Sequence, residues 1–191
     1  FEDIPDSFSA TVVVLAVKPQ VMDAVLAPYP ALVQPDTVFL SIAAGRTIAS
    51  FEAVLGADAR IVRAMPNTPA AVGRGITVLA GNGHVTGAQR DACEALMTAV
   101  GKVAWVADEG LIDAVTGVSG SGPAYVFHLV EAMAAAGIAA GLAPDLAMQL
   151  ARETVAGSGE LLAQSADPAE TLRENVTSPG GTTAAALDIL M

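Results

Sequence analysis

The chain has 191 residues, of which 53% are hydrophobic but only 4% aromatic, so its core must consist mainly of Ala, Val, Leu and Ile. Its formal net charge is −11 with 9 Lys and Arg, which leaves no basic surface for nucleic acid or an anionic membrane. An anionic small molecule stays compatible with this charge, because a helix N-terminus can bind it locally. Disorder is not expected.

The single cysteine and the apolar stretches bear on the cellular compartment. Cys93 cannot form an internal disulfide, and residues 1–5 are acidic rather than the basic start of a signal peptide. We therefore expect a reducing cytoplasm. The longest apolar stretch, residues 124–142, contains His128 and Glu131 and is rich in Ala and Gly, which favours a buried or subunit-interface helix over a membrane span.

The first half of the chain alternates strand and helix patterns. Residues 11–17 form a continuous β-branched apolar run, which is typical of a central strand buried on both faces of a parallel sheet. Further strands are predicted at residues 37–42, 60–64, 76–80 and 102–107, with helical patterns between them. This βαβα order predicts an α/β domain with a parallel sheet over residues 1–107.

From Asp108 onward the pattern becomes helical. Helices are predicted at residues 108–117, 121–141, 144–164, 168–175 and 182–191, so residues 108–191 form a second, all-α domain. Its broad apolar faces exceed what a domain of about 85 residues can bury alone, which predicts oligomerisation through this part. Gly137 and Gly141 either permit a close helix contact or mark a weak helix end.

The sharpest local motif is Thr177-Ser-Pro-Gly-Gly-Thr-Thr183, which precedes a helix-forming run. Proline and two glycines allow a tight loop whose free N–H groups converge at the helix start, where the macrodipole favours an anion such as a carboxylate. The alternative is an ordinary helix start with Thr182 as its N-cap. The local sequence alone favours neither interpretation.

A second motif, Ser119-Gly-Ser-Gly-Pro-Ala-Tyr125, opens the longest apolar helix. It only superficially resembles the nucleophile elbow of a hydrolase, because Ser121 replaces the required glycine and no strand precedes it. His84 and His128 are the only histidines, so a Ser-His-Asp hydrolase is not expected. One cysteine and two distant histidines also make a metal site unconvincing.

Small and proline-containing turns follow three predicted strands. They are Ala16-Val-Lys-Pro19, Ser41-Ile-Ala-Ala-Gly45 and Met65-Pro-Asn-Thr-Pro69. Open α/β sheets bind ligands at the carboxyl ends of their strands, so these turns predict one long ligand lying across the sheet edge, with Lys18 facing it. A lone lysine after a strand is by itself a weak signal.

Together with Asp113-Ala-Val-Thr-Gly-Val-Ser-Gly-Ser-Gly-Pro-Ala-Tyr125, these motifs resemble those of the pyrroline-5-carboxylate reductase family in order and spacing, over essentially the whole chain. The resemblance implies a Rossmann-like domain followed by an all-α dimerisation domain, with the active site where domains and subunits meet. It implies hydride transfer from NADPH or NADH to 1-pyrroline-5-carboxylate, a small imino acid, to give L-proline. It also implies a homodimer or a larger ring of dimers.

The resemblance assigns roles to individual residues. Glu109, Gly180, Gly181, Thr182 and Thr183 are implied to bind substrate, with Thr183 as the catalytic residue whose hydroxyl reaches the ring nitrogen. The residues implied to contact the cofactor are Ala16, Val17, Lys18, Pro19, Ile42, Ala43, Ala44, Asn67 and Asn175. Taken without the resemblance, Glu109 reads as a surface acid that complements the dipole of its own helix.

The family's Gly-rich phosphate loop and the residue that selects between NAD and NADP precede the first strand of this sequence. We therefore expect further strands before residue 1, and the cofactor preference cannot be read from these residues. Two rival functions stay open: another imine or β-hydroxyacid reductase, and a non-catalytic dinucleotide-binding or oligomerisation module.

Overall fold

The computed structural model describes residues 8–191, so the acidic opening of the chain lies outside the described residues. The strands are β1 (Val12–Leu15), β2 (Val38–Ser41), β3 (Arg60–Met65), β4 (Gly75–Gly81) and β5 (Gly101–Trp105). The helices are α1 (Met22–Leu26), α2 (Ile48–Leu55), α3 (Gly87–Thr98), α4 (Leu111–Val115), α5 (Gly122–Ala139), α6 (Pro144–Gln164), α7 (Ala169–Asn175) and α8 (Thr182–Leu190). Every predicted strand and helix is present, with ends that shift by a few residues.

The five strands form one sheet in the order β1-β2-β3-β4-β5. Three of the four pairings are parallel, but β4 runs antiparallel to β3, with Arg63 opposite Ala80. The prediction of a parallel sheet therefore needs this one correction. The connection from β3 to β4 contains only the short 3₁₀ helix Thr68–Val72, and a parallel crossover needs a dozen or more residues.

Strand β1 was predicted to be central, with further strands before residue 1, and this central position stays a prediction. In the described part of the chain, β1 is an edge strand that pairs with β2 alone, and Val14 is 51% exposed. The apolar run of β1 is as long as that of the inner strand β2, whose four residues are all buried. The apolar run therefore predicted the strand correctly.

Helices cover both faces of the sheet. On one face, α1 and α2 contribute Met22, Leu26 and Phe51 to a core that includes Phe39. On the other face, α3 contributes the buried Cys93. Helix α2 begins because the Thr47 side chain accepts a hydrogen bond from the Ser50 N–H, and α3 begins with a capping box.

Contacts divide the chain into two compact units, one ending at Ala124 and one from Tyr125 to Met191. The first unit extends beyond residue 107, because Ile112 of α4 is fully buried against Val78 and Ala80 of β4. A π-helix, Thr116–Gly120, connects α4 to α5. The domain boundary predicted between residues 107 and 108 stays a prediction.

In the second unit, α5 and α6 pack through small side chains. Ala134, Ala147 and Ala151 are buried, and a Cβ on Gly137 would lie 3.2 Å from the Cβ of Ala147. Gly137 thus permits a close contact with α6 of the same chain. Gly141 instead follows the end of α5, with a φ of +100°, in the left-handed region that favours glycine.

Candidate active site

Two predicted cofactor-binding segments lie side by side where β1 and β2 end. The strands are parallel, Leu15 pairs with Ser41, and the Ile42 N–H donates to the Leu15 carbonyl at 3.2 Å. Both segments therefore leave the sheet on the same side, at the carboxyl ends of the two strands. The structure brings together seven of the predicted residues here: Ala16, Val17, Lys18, Pro19, Ile42, Ala43 and Ala44.

The turn after β2 is compact and built from small residues. The Ala43 N–H donates to the Ser41 Oγ at 3.2 Å, and Gly45 has a φ of +74°. This left-handed backbone lets the chain turn towards α2 without a side chain projecting over the edge. Lys18 is exposed and forms no ion pair within residues 8–191, so its ammonium group is available to a ligand.

Asn67 follows β3, which is the next parallel strand along the same edge. Its Oδ1 accepts a hydrogen bond from the Ile76 N–H at 2.9 Å. The side chain therefore holds the β3–β4 connection against the start of β4. Its predicted contact with the cofactor stays a prediction, for which the amide nitrogen, the backbone and the second lone pair of Oδ1 are available.

Glu109 lies between β5 and α4, and its environment differs from that of a surface acid serving its own helix. The Glu109 Oε1 accepts from the Ile48 N–H at 2.8 Å and from the Arg63 Nη1 at 2.9 Å. Its carboxylate therefore complements the N-terminus of α2 rather than that of α4. The side chain is 26% exposed, so a ligand can still reach it.

Arg63, which the sequence analysis did not single out, is the buried partner of Glu109. It lies within β3 and is only 5% exposed. A charged residue in the apolar run Arg60-Ile-Val-Arg-Ala-Met65 was the signal that could have identified it, since buried charges require partners. The partner itself, 46 residues away, could not be deduced from that run.

The second unit carries the loop between α7 and α8. Asn175 ends α7, and Gly180 has a φ of +69°, which turns the chain so that the Gly181 N–H donates to the Ser178 carbonyl at 3.0 Å. The N-cap of α8 is Gly181, so the alternative with Thr182 as N-cap is wrong by one residue. Thr182 already has helical geometry and is the first residue of α8.

This helix start leaves donors for a ligand. Gly181 has no side chain with which to cap α8, so the N–H groups of the first turn, including those of Thr182 and Thr183, have no capping side chain within residues 8–191. Thr182 and Thr183 are both exposed. A carboxylate fits this arrangement, because the helix dipole and several convergent N–H groups act on it together.

Two other groups of possible reactive side chains are accounted for. Burial raises the pKa of the Cys93 thiol to about 11, which makes it a poor nucleophile or metal ligand at neutral pH. Within residues 8–191, no three or more His, Cys, Asp or Glu side chains cluster as a metal site would require.

The family model and similar known sequences all point to one protein family. Residues 109–191 match the model of the pyrroline-5-carboxylate reductase dimerisation family. A pyrroline-5-carboxylate reductase of Pseudomonas aeruginosa is 48% identical over 179 residues, covering 93% of this chain and 65% of that protein. The reductase of Haemophilus influenzae is 41% identical and covers 98% of this chain and 69% of its own length. The chain thus spans about two thirds of these relatives.

Solved structures agree. A pyrroline-5-carboxylate reductase from Coxiella burnetii superposes with a TM-score of 0.88 at 40% identity, covering 95% of this chain and 67% of that one. The reductase of Plasmodium falciparum, solved with NADP bound, gives a TM-score of 0.82 at 32% identity, with coverages of 95% and 68%. Since both sequence and fold agree over nearly its whole length, the chain belongs to the pyrroline-5-carboxylate reductase family.

Proposed function

We propose that this protein reduces 1-pyrroline-5-carboxylate to L-proline by hydride transfer from NADPH or NADH, in proline biosynthesis. The observation that carries the proposal is the start of α8, where the loop 177–181 leads into a helix whose first-turn N–H groups lack a capping side chain. This arrangement suits a small carboxylate substrate. The membership of the chain in the reductase family supports the same substrate.

The carboxyl edge of β1, β2 and β3 fits a dinucleotide. Residues 16–19 and 42–44 would lie along the cofactor, with Asn67 near the nicotinamide, and Asn175 is a further proposed cofactor contact. The small side chains after β2 support this, as does Lys18, which forms no ion pair within residues 8–191, because close backbone approach and a nearby cation both favour a phosphate-bearing ligand. The Plasmodium relative with NADP bound supports the same class of cofactor.

The proposed reaction needs little covalent chemistry from the protein. The reduced nicotinamide would supply a hydride to the C=N carbon, and the C=N π electrons would become the amine lone pair, with one proton taken up at nitrogen. A protonated imine is already electrophilic, so the protein acts chiefly by orientation and electrostatics. No nucleophilic side chain is required.

Each end of the substrate would have its own contacts. The N–H groups at Gly181, Thr182 and Thr183, on the loop turned by Gly180, would hold the carboxylate. The Thr183 hydroxyl would hydrogen-bond the ring nitrogen and act as the catalytic residue. Glu109 would contribute a further acceptor to the substrate, since its carboxylate is partly exposed and one of its oxygens is already held in place.

The proposed assembly is a homodimer, or a ring of dimers, formed through the helical unit. Large apolar side chains are exposed along α5 and α6, including Tyr125, Phe127, Leu129, Leu150, Leu161 and Leu162. Residues 111–139 are also long and apolar enough to cross a membrane, but one such helix is weak evidence for a membrane span. The match to a dimerisation family favours a second copy of this chain as the cover.

We also propose a cytoplasmic location. Cys93 is free and buried, which suits a reducing compartment. Cell fractionation with an antibody against this protein would test the location. Recovery in the membrane or exported fraction would contradict it.

The test of the activity uses protein made from the complete gene. We expect reduced-nicotinamide absorbance to fall only when pyrroline-5-carboxylate or a close cyclic imino acid is present. Turnover of a β-hydroxyacid or another imine instead would identify the rival reductase. Binding of NAD(P)H, seen by fluorescence, without substrate-dependent loss with either cofactor would support the non-catalytic module and overturn the proposal.

A further inference from the structure

Arg63 is a cation placed inside the sheet. It lies in β3 between Ser41 of β2 and Ala80 of β4, and its side chain is 6% exposed. An unpaired charge at such a position is strongly unfavourable, and an apolar side chain would fill the same space without this cost. Stabilisation of the fold is therefore a poor explanation for the ion pair of Arg63, and a role in the active site is the better one.

Two carboxylates face the Arg63 guanidinium, but unequally. The Arg63 Nη1 lies 2.9 Å from the Glu109 Oε1, whereas its Nη2 lies 4.0 Å from the Asp113 Oδ1. Asp113 is 91% exposed, so solvent screens its charge, while Glu109 is 26% exposed. The specific partner of Arg63 is therefore Glu109.

The two donors on Glu109 converge on one of its oxygens. The Ile48 N–H and the Arg63 guanidinium both donate to Oε1, from the start of α2 and from β3 respectively. The Glu109 Oε2 accepts no hydrogen bond from residues 8–191. Two donors from different elements fix the carboxylate plane, and they leave Oε2 as an acceptor with a defined direction.

We propose that Arg63 is a positioning residue, which acts through Glu109 by fixing its carboxylate so that Oε2 can accept a hydrogen bond from the substrate. This inference rests on the proposed function, in which Glu109 contacts the imino acid. Arg63 itself touches neither substrate nor cofactor. Its effect is geometric, because the site loses affinity when a contact group is free to rotate.

A structural role for the same ion pair makes different predictions. If Arg63 only attached the segment before α4 to β3, its loss would lower stability and the amount of active protein. The KM values for the imino acid and for the reduced nicotinamide would not change. A positioning role changes the KM for the imino acid and leaves the KM for the reduced nicotinamide as it was.

The experiment compares Arg63→Met, Arg63→Lys, Glu109→Gln and the double variant Arg63→Met/Glu109→Gln in protein made from the complete gene. Arg60→Met is the matched control, because Arg60 lies on the same strand at its amino end. Steady-state kinetics with each substrate varied, and thermal unfolding, are measured for every variant.

We expect Arg63→Met to raise the KM for pyrroline-5-carboxylate by about 10- to 100-fold, with the KM for NAD(P)H unchanged. The KM of Arg63→Lys should lie between those of Arg63→Met and the unsubstituted protein, because lysine keeps the charge but lacks the planar guanidinium group. When Arg63→Met is added to Glu109→Gln, the KM for pyrroline-5-carboxylate should rise by less than about threefold, because Arg63 acts through Glu109. Arg60→Met should match the unsubstituted protein.

Three results would overturn the inference. The first is a rise in the KM for the imino acid that is as large when Arg63→Met is added to Glu109→Gln as when it is made alone. The second is an unchanged KM for the imino acid in both Arg63→Met and Arg63→Lys. If Arg63→Met does not fold, Arg63→Lys and the charge-free double variant decide by the same comparison. The third is an unsubstituted protein that turns over no imino acid, which defeats the proposed function first and this inference with it.

Discussion

Gly101 lies so close to Gly75 that a Cβ on Gly101 would stand 2.0 Å from the Gly75 carbonyl oxygen. The two residues pair where the parallel strands β4 and β5 begin, and the Gly75 N–H donates to the Val100 carbonyl at 3.1 Å. Gly101 also has a φ of +152°, which side-chain-bearing residues rarely adopt. The start of this strand pair therefore requires glycine for two independent reasons.

We expect Gly101→Ala to lower the free energy of unfolding by about 2–4 kcal/mol, from backbone strain and overpacking together. Urea unfolding followed by circular dichroism measures it. Gly83→Ala is the control, because a Cβ at Gly83 meets nothing within 4 Å. A Gly101→Ala protein as stable as the control would mean that the two strands do not begin as described.

Thr183→Ala should reduce kcat/KM for the imino acid by roughly 5- to 150-fold, which corresponds to about 1–3 kcal/mol of transition-state binding. The substitution removes the hydroxyl and leaves the backbone N–H groups of α8 in place. Thr183→Ser, which keeps the hydroxyl, should retain most of the activity. Equal kinetics for the alanine variant and the unsubstituted protein would reduce Thr183 to an ordinary helix residue.

Phe127→Glu should shift the protein towards the monomer, because Phe127 is an exposed aromatic side chain, 62% accessible, in the helical unit proposed to dimerise. A buried, unpaired carboxylate is costly at an interface. Light scattering across a micromolar dilution series gives the mass. Val72→Glu is the control, since Val72 is also exposed but belongs to the sheet unit. A monomeric unsubstituted protein would contradict the assembly.

The Cys93 thiol should resist alkylation in the folded protein at pH 8, since desolvation raises its pKa from 9.0 to about 11. The folded state keeps the thiol proton over a range in which the unfolded state releases it. Stability should therefore be unaffected by Cys93 below pH 9 and should fall as pH rises from about 9 towards 11. Iodoacetamide labelling and urea unfolding across this range test both points.

Cys93→Ala should lack this alkaline loss of stability, because the variant has no thiol to titrate. Rapid labelling of the folded protein at pH 8, at the rate seen in urea, would show that the thiol is not buried as described.

The sequence predicted the element content well, because the signals are local. The apolar runs of β1 and β2 and the Pro- and Gly-containing loop before α8 each predicted the local conformation within a few residues. The motif 177–183 likewise predicted a helix start, while its binding of a carboxylate stays a prediction. Only the N-cap moved by one residue, from Thr182 to Gly181.

What the tertiary structure decided is which distant groups meet. By itself the sequence determined the strand–helix alternation, the change to helices near residue 108 and the motifs of the family, because periodicity and turn chemistry depend on neighbours along the chain. It did not determine that β4 runs antiparallel to β3, or that Glu109 joins Arg63 and the start of α2. Strand pairing and ion pairing depend on partners tens of residues away, and only the folded chain brings those partners within hydrogen-bonding distance.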